Sequence, residues 1–138
     1  MKSPKHLNHK PIASINDYDK IDAQYQNNTD VRALSIGVAQ YDTKEISLKV
    51  WRHTGERWSR QSEELPLHRN IDLNILLIGS LLTNTESKYP KTILREEIDD
   101  EKGITSIKRY YSNNEAFLKP RLEELRNKLK KNLERIIS

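Results

Sequence analysis

The sequence predicts an α+β fold: a curved antiparallel sheet of about three to four strands, then an apolar helix and a helical C-terminal extension. Apolar and polar residues alternate through residues 33–67, which is the period of half-buried strands. The period becomes helical over residues 71–82 and again from Ile104 to the C-terminus. Two turn segments, DTK and TGE, divide the alternating region into three strands.

Residues 1–30 are predicted to be a tail and a lead-in to the sheet. Residues 1–15 are polar and are predicted to be the tail itself. In the following segment Tyr18, Ile21 and Tyr25 have helical spacing, which predicts a short helix or an ordered loop.

The core of the domain is predicted to be residues 31–83. In the first strand, Leu34, Ile36 and Val38 lie on one side, and smaller residues lie on the other. EISLKVWRH is the second strand and RWSRQSEEL the third, and Gly55 between them is free to adopt a positive φ. Ile46, Leu48 and Val50 continue the apolar side of the first strand.

The helix predicted over residues 71–82 is apolar around several faces. An apolar band this wide exceeds what a single sheet contact needs, so the helix should be covered on two sides. A homodimer formed through this helix, through the C-terminal helix or through both would supply the cover. The rival cover is the C-terminal helix of the same chain.

Residues 84–138 are predicted to be a linker and the C-terminal helices. No element is assigned to residues 84–103. One helix is expected near residues 105–113 and a longer one ending near Ile137, and Pro120 should kink a helix or begin one. Leucines in the longer helix have the 4-3-4 spacing of a coiled-coil seam, but the repeats are too few for a coiled coil. We therefore expect this helix to dock on its own domain or on a partner protomer.

Length and composition limit the functions that the chain could have. A chain of 138 residues suggests a single domain. The absence of cysteine excludes disulfides, thiolate catalysis and zinc–thiolate sites. The N-terminus has no apolar signal segment, and no apolar run approaches the roughly 20 residues of a membrane span. We therefore expect a cytoplasmic protein with no membrane partner.

The net charge of +4 is concentrated at the ends. Residues 1–10 contribute +3 and residues 119–138 contribute +4, so residues 11–118 carry −3. The basic ends would provide long-range attraction to phosphate or to an acidic partner. The alternative is that both ends are simply solvated.

No catalytic motif stands out. The four glycines do not cluster, so they build neither a phosphate loop nor a dinucleotide fingerprint. His6 and His9 have H-x-x-H spacing but lie in the predicted tail. Glu63 and Glu64 are adjacent in a predicted strand and should point opposite ways. The sequence therefore predicts a protein that is not an enzyme, with no cofactor and no metal.

The polar side of the second and third strands carries the candidate site. If the register aligns them, one face holds five basic and aromatic residues: Lys49, Trp51, His53, Trp58 and Arg60. Indole rings can stack on any base, and cations between them would meet phosphates. The alternative is that these tryptophans are core residues beneath helices or in a dimer interface. Arg52 and Arg57 should project from the opposite side or from the rim.

Two segments carry a resemblance to known families. ISLKVWRH and ELPLHRNIDLNILLIGSLL resemble the transcriptional-coactivator (positive cofactor four-like) single-stranded-DNA-binding domain over residues 31–83. Lys49 and Trp51 stand where that family tends to have a basic and an aromatic residue. The resemblance implies a curved four-stranded sheet, a helix, dimerisation and binding of single strands. The whole chain also resembles an uncharacterised bacterial family, a domain of unknown function.

The sequence therefore predicts a non-enzymatic, possibly transcription-related protein that binds single-stranded DNA or RNA. The alternative is a protein–protein interaction or assembly module that binds no nucleic acid.

Overall fold

The computed structural model describes residues 1–83 and 92–137, and the fold is α+β as predicted. An antiparallel sheet has the order β1-β2-β3-β4. Its strands are β1 (Lys10–Asn16), β2 (Val31–Val38), β3 (Ile46–Arg52) and β4 (Glu64–Pro66). The helices are α1 (Leu67–Leu82), α2 (Ile104–Asn113) and α3 (Glu115–Ile137). The predictions made for residues 84–91 lie outside the described residues.

The described chain divides into two compact units. The first contains residues 1–79 and 92–96, and therefore the whole sheet and most of α1. The second contains residues 80–83 and 97–137, and therefore α2 and α3.

The prediction that residues 1–15 form a tail is wrong. Residues 10–16 form β1, in which Ile15 pairs with Leu34 and Ser14 pairs with Ser35 of β2. Most side chains of this edge strand are exposed, and its register shifts between Pro11 and Ala13. The strand therefore lacks the regular apolar alternation by which a strand is recognised in a sequence.

The residues before β1 fold back over the sheet. The Ser3 amide donates a hydrogen bond to Asn16 Oδ1 at 2.9 Å, and the Ser3 and Ser14 hydroxyls are 2.6 Å apart. Ser3, Pro4 and His9 are buried. We call residues 1–9 the N-terminal segment, and it covers the face of the sheet that carries the small residues.

The two faces of β2 differ in burial. Ala33, Ser35 and Gly37 are buried, whereas Leu34 and Ile36 on the other face are only half-buried. Small side chains let the N-terminal segment approach the sheet closely, and this contact excludes water from the polar face. The bulky apolar face keeps partial access to solvent.

Gly37 is crowded by the neighbouring strand β1, with which it pairs through Pro11. A Cβ atom at this position would collide with the backbone carbonyl of Lys10, and it would lie 2.8 Å from Pro11 Cα. We expect Gly37→Ala to lower the free energy of unfolding by about 1–3 kcal/mol, because backbone atoms must move to relieve the overlap. Urea unfolding should detect the loss. Gly55→Ala is a useful comparison, because no atom lies within 4 Å of its added Cβ and its cost arises only from the φ of 101°.

The hairpin after β3 has a loop of four residues, 54–57, one residue longer than the predicted TGE turn. An isolated bridge joins His53 to Trp58, and the Thr54 amide donates to the Arg57 carbonyl at 2.8 Å. The positive φ expected at Gly55 is confirmed. The third predicted strand, residues 57–65, is strand only at its end, because Ser59 and Ser62 hydroxyls bond nearby backbone groups and form a turn.

The helices agree with their predictions. α1 begins at Leu67, directly after β4 and four residues earlier than expected. α2 and α3 have the predicted extents, and α3 continues through Pro120. The segment predicted to be a short helix or an ordered loop contains two 3₁₀ helices, Tyr18–Lys20 and Ala23–Tyr25. Among the described residues, no helix has the length and apolar character needed to cross a membrane.

Candidate functional site

The structure brings together four of the five residues of the predicted nucleic-acid face. Trp51 and Trp58 are in edge contact with ring centroids 5.7 Å apart, and His53 and Trp58 are 5.0 Å apart. Lys49 Nζ lies 4.5 Å from the Trp51 ring centroid. The predicted register, with Trp58 on the Trp51 side, is therefore confirmed.

The sequence left open whether this face is exposed or buried, and its two central residues are buried. Trp51 is 1% exposed and Lys49 is 8% exposed. The N-terminal segment, which the sequence predicted to be a tail, places His9 against the Trp51 ring at a centroid distance of 5.6 Å. In this arrangement Trp51 offers no ring face to a base, and Lys49 offers no ammonium to a phosphate.

His9 is the centre of a buried polar network. Its Nε2 lies 3.0 Å from the Ser35 hydroxyl, and its Nδ1 lies 2.9 Å from Glu64 Oε1 and 3.0 Å from Ser47 Oγ. The Ser47 hydroxyl donates to Glu64 Oε1 at 2.6 Å. Trp51 Nε1–H donates to Ser35 Oγ at 2.8 Å. The network therefore ties the N-terminal segment to three strands.

The donors and acceptors of this network determine the state of His9. An indole N–H can only donate, so Ser35 Oγ accepts from Trp51 and can donate its own proton to His9 Nε2. A carboxylate can only accept, so the His9 proton is on Nδ1, facing Glu64. The network is fully satisfied with a neutral imidazole and an ionised carboxylate.

The pKa directions agree with this assignment. Burial lowers the pKa of His9, and it outweighs the opposing effects of the Glu64 hydrogen bond and charge. Burial opposes ionisation of Glu64, but bonds from Ser47, the Gln40 amide and His9, with the Lys49 charge, hold its pKa below the ordinary value. Burial also lowers the pKa of Lys49, and the Glu64 charge offsets part of that shift.

Glu64, His9 and Ser35 have the acid–imidazole–hydroxyl order of a hydrolase triad. In a triad the hydroxyl oxygen must reach a substrate carbon. Here Ser35 is 6% exposed and its oxygen already accepts a hydrogen bond from Trp51. The arrangement therefore holds the N-terminal segment in place. Among the described residues, no group of three or more His, Cys, Asp or Glu side chains could hold a metal ion.

The rim of the predicted face remains accessible. His53 and Trp58 are half-buried, and Arg57 and Arg60 are exposed. The prediction that Arg52 projects from the other side is confirmed. The Arg52 guanidinium lies 2.6 Å from Asp30 and 2.9 Å from Glu63. These ion pairs already occupy its donors.

The opposite face of the sheet forms an apolar groove that sequence reasoning did not single out. Its volume is about 420 Å³, and the Asn70 side of α1 lies at its edge. The residues that give the groove its apolar character are Ala13, Ile15, Leu34, Ile36, Leu48, Val50 and Leu65. A second cavity shares Leu34 and Val50 with it and extends to Tyr18 and Tyr25. The alternation of β2 and β3 indicates this apolar side in the sequence, but it does not indicate whether another element covers it.

Comparison with known proteins gives a family and no function. Residues 1–99 match the family of unknown function DUF6530. The chain belongs to this family. The prediction of an uncharacterised domain-of-unknown-function family is thereby confirmed. No curated protein and no solved structure matches the chain.

The DUF6530 match covers the sheet, the N-terminal segment and α1. The His9 network and the apolar groove therefore both lie within the part of the chain that matches this family. Both α2 and α3 begin after the matched residues.

The His9 network predicts acid sensitivity. Because the pKa of His9 is lowered from 6.5 on folding, the unfolded chain binds a proton that the folded chain excludes. The free energy of unfolding should therefore be highest above pH 6.5 and should fall as the pH falls below it. The lowered pKa of Glu64 should add a further loss below its ordinary value of 4.5.

Urea unfolding between pH 8 and pH 4 would measure this dependence. His9→Gln should flatten the first part of the decline, because it removes the group that titrates there. His6→Gln is the matched control, since His6 is exposed in the same segment. If His9→Gln and the parent protein have the same pH slope, the assignment to His9 is wrong.

Proposed function

We propose that this protein is a protein–protein interaction module that assembles with a second copy of itself, with the apolar groove receiving α1 of the partner. The observation that carries the proposal is the groove, because an apolar concave surface rimmed by polar residues is typical of interaction sites. Leu34, Leu48 and Val50 line it and are only half-buried.

The first part of α1 has the character of a ligand for such a groove. Ile71 is 57% exposed, Leu73 is 52% exposed and Leu77 is 45% exposed. Leu73 and Leu77 lie one turn apart on one face of the helix. An amphipathic helix with this spacing buries its apolar side chains when it lies in an apolar groove.

A reciprocal interface is favoured because both surfaces belong to the first compact unit. In a twofold dimer, the groove of each copy contacts α1 of the other, so one symmetric contact covers both apolar surfaces. Asn70 at the groove edge shows that α1 begins beside the groove. The predicted interaction module would thus be a twofold dimer in which each groove holds α1 of the other copy.

Sedimentation equilibrium tests the assembly. We expect a species of twice the 16.2 kDa chain mass for the parent protein. Leu77→Glu should give monomers, because the interface would have to bury a carboxylate with no partner. Ile12→Glu is the matched control: Ile12 is 70% exposed and does not line the groove, so this variant should remain dimeric. A parent protein that sediments only as monomer would overturn the proposal.

Cross-linking tests the geometry separately. The chain has no cysteine, so each introduced thiol is unique. Copies carrying Val50→Cys, mixed with copies carrying Leu77→Cys, should be joined by a short bis-maleimide. A mixture of Ile12→Cys and Leu77→Cys copies should not be joined. Equal yields from the two mixtures would contradict the assignment of α1 to the groove.

Binding of single-stranded nucleic acid is the second candidate function. Four antiparallel strands followed by a helix is the order that the coactivator-like resemblance implies, which supports it. The accessible surface for it consists of Trp58, His53 and Arg60, beside the hairpin tip. Stacking on one indole is worth roughly 1–3 kcal/mol per base.

Titration with oligothymidine at low salt, followed by tryptophan fluorescence, tests this candidate. Saturable quenching should be lost in Trp58→Ala and should weaken steeply with salt. Arg60→Ala should reduce the affinity for oligothymidine. It should leave the tryptophan fluorescence of the unbound protein unchanged, because both tryptophans are retained. The absence of quenching at tens of micromolar protein would eliminate this function.

A further inference from the structure

α3 carries an apolar strip along one face. Successive members are three or four residues apart, so they lie on the same side of the helix. The strip consists of Leu118, Leu122, Leu125, Leu129, Leu133 and Ile136. Its C-terminal part is accessible: Leu129 is 45% exposed and Ile136 is 68% exposed.

Basic side chains border this strip on both sides. With about 100° of rotation per residue, one border holds Arg121, Lys128 and Arg135. The other border holds Lys119, Arg126 and Lys130. All six are exposed. The acidic residues of the helix after Pro120 lie away from the strip, at positions 123, 124 and 134.

This charge arrangement opposes self-association through α3. In a pair of helices that meet at such a strip, the bordering residues of the two helices face each other. A parallel pair would place Arg121 opposite Arg126 of the second copy, and an antiparallel pair would place the row of Lys128 and Arg135 against itself. Like charges that face each other are unfavourable, so the strip favours a partner helix other than α3 of a second copy.

We propose that the apolar strip of α3 binds an amphipathic helix of a partner protein whose apolar seam is bordered by Asp and Glu. Apolar contacts along Leu125, Leu129 and Leu133 supply affinity, and the two basic rows select acidic borders. The apolar strip belongs to the second compact unit and the apolar groove to the first. The protein would then combine self-assembly in one unit with capture of an acidic helix in the other.

Fluorescence anisotropy with the full chain tests the proposal. The probe is a labelled peptide of about three heptads, with Leu at the seam and Glu at the bordering positions. A matched peptide has Lys at the same positions. We expect the acidic peptide to bind at least about tenfold more tightly, a difference of about 1.4 kcal/mol. The preference should shrink as salt is added.

Two matched variants locate the site. Lys128→Glu should weaken binding of the acidic peptide severalfold, whereas Lys131→Glu, on the outer side of the same helix, should have a much smaller effect. The proposal would be overturned if Lys128→Glu and Lys131→Glu weakened binding of the acidic peptide equally. It would also be overturned if the parent protein bound the acidic and the basic peptide with equal affinity. Displacement of the bound peptide by oligothymidine would also overturn it, because the basic rows would then be a nucleic-acid surface.

The dimer and the peptide site can fail separately. A Leu77→Glu monomer should still bind the acidic peptide, since α3 is unchanged. Lys128→Glu should leave the sedimentation of the parent protein unchanged. A change in the oligomeric state of Lys128→Glu would show that α3 is a self-association surface and would overturn the inference.

Discussion

Trp51→Ala should lower the free energy of unfolding by about 3–5 kcal/mol, the range found for large aromatic side chains removed from protein cores. Trp51 is the largest fully buried side chain, and its ring contacts His9, Lys49 and Trp58. The substitution leaves a cavity, and it also removes the N–H that donates to Ser35.

The Trp51 prediction is tested by urea unfolding monitored by far-UV circular dichroism, because the fluorescence changes with the substitution. Trp58→Ala is the control, and it should cost clearly less because Trp58 is only half-buried. The loss for Trp51→Phe should lie between the losses for Trp51→Ala and Trp58→Ala, because phenylalanine retains an aromatic ring but cannot donate the hydrogen bond to Ser35. If Trp51→Ala costs no more than Trp58→Ala, Trp51 is not the centre of the core.

Glu64→Ala should also lower the free energy of unfolding by about 3–5 kcal/mol at neutral pH, because it leaves the buried charge of Lys49 uncompensated. The Glu64 carboxylate accepts bonds from Ser47 and His9, and its charge stabilises the buried ammonium of Lys49. Without it, Lys49 must lose its proton or remain charged in a site that is 8% exposed.

A double-mutant cycle separates the charge effect from the packing effect. Lys49→Met combined with Glu64→Ala should recover part of the loss, because no unpaired charge would then be buried. Glu63→Ala is the matched control. Glu63 is the adjacent exposed residue paired with Arg52, and surface pairs contribute about 0–1 kcal/mol. Equal costs at positions 63 and 64 would contradict the buried-charge account.

The candidate site was predicted only in part because the sequence shows which residues share a face of the sheet, but not which face is buried. The alternation of β2 and β3 correctly placed Trp51, Lys49 and His53 on one side. It could not show which side would lose water, because burial depends on what covers the sheet. The cover is the N-terminal segment, which has no apolar period and therefore gave no local signal.

His9 illustrates the same difficulty at a single residue. In the sequence it is one of two histidines in a basic segment, and nothing nearby in the chain pairs with it. Its partners Ser35, Ser47 and Glu64 are 26, 38 and 55 residues away. Such a network becomes visible only when three strands and the N-terminal segment meet.

The sequence by itself determined the elements whose cause is local. Helices α2 and α3 follow from apolar spacing, and the β3 hairpin follows from alternation and Gly55. The α+β class follows from the change of period after β4. Tertiary structure decided that small residues such as Ser35 define the buried face, because they admit the N-terminal segment, whose His9 lies against Ser35. It therefore also decided that the bulky apolar residues line an accessible groove.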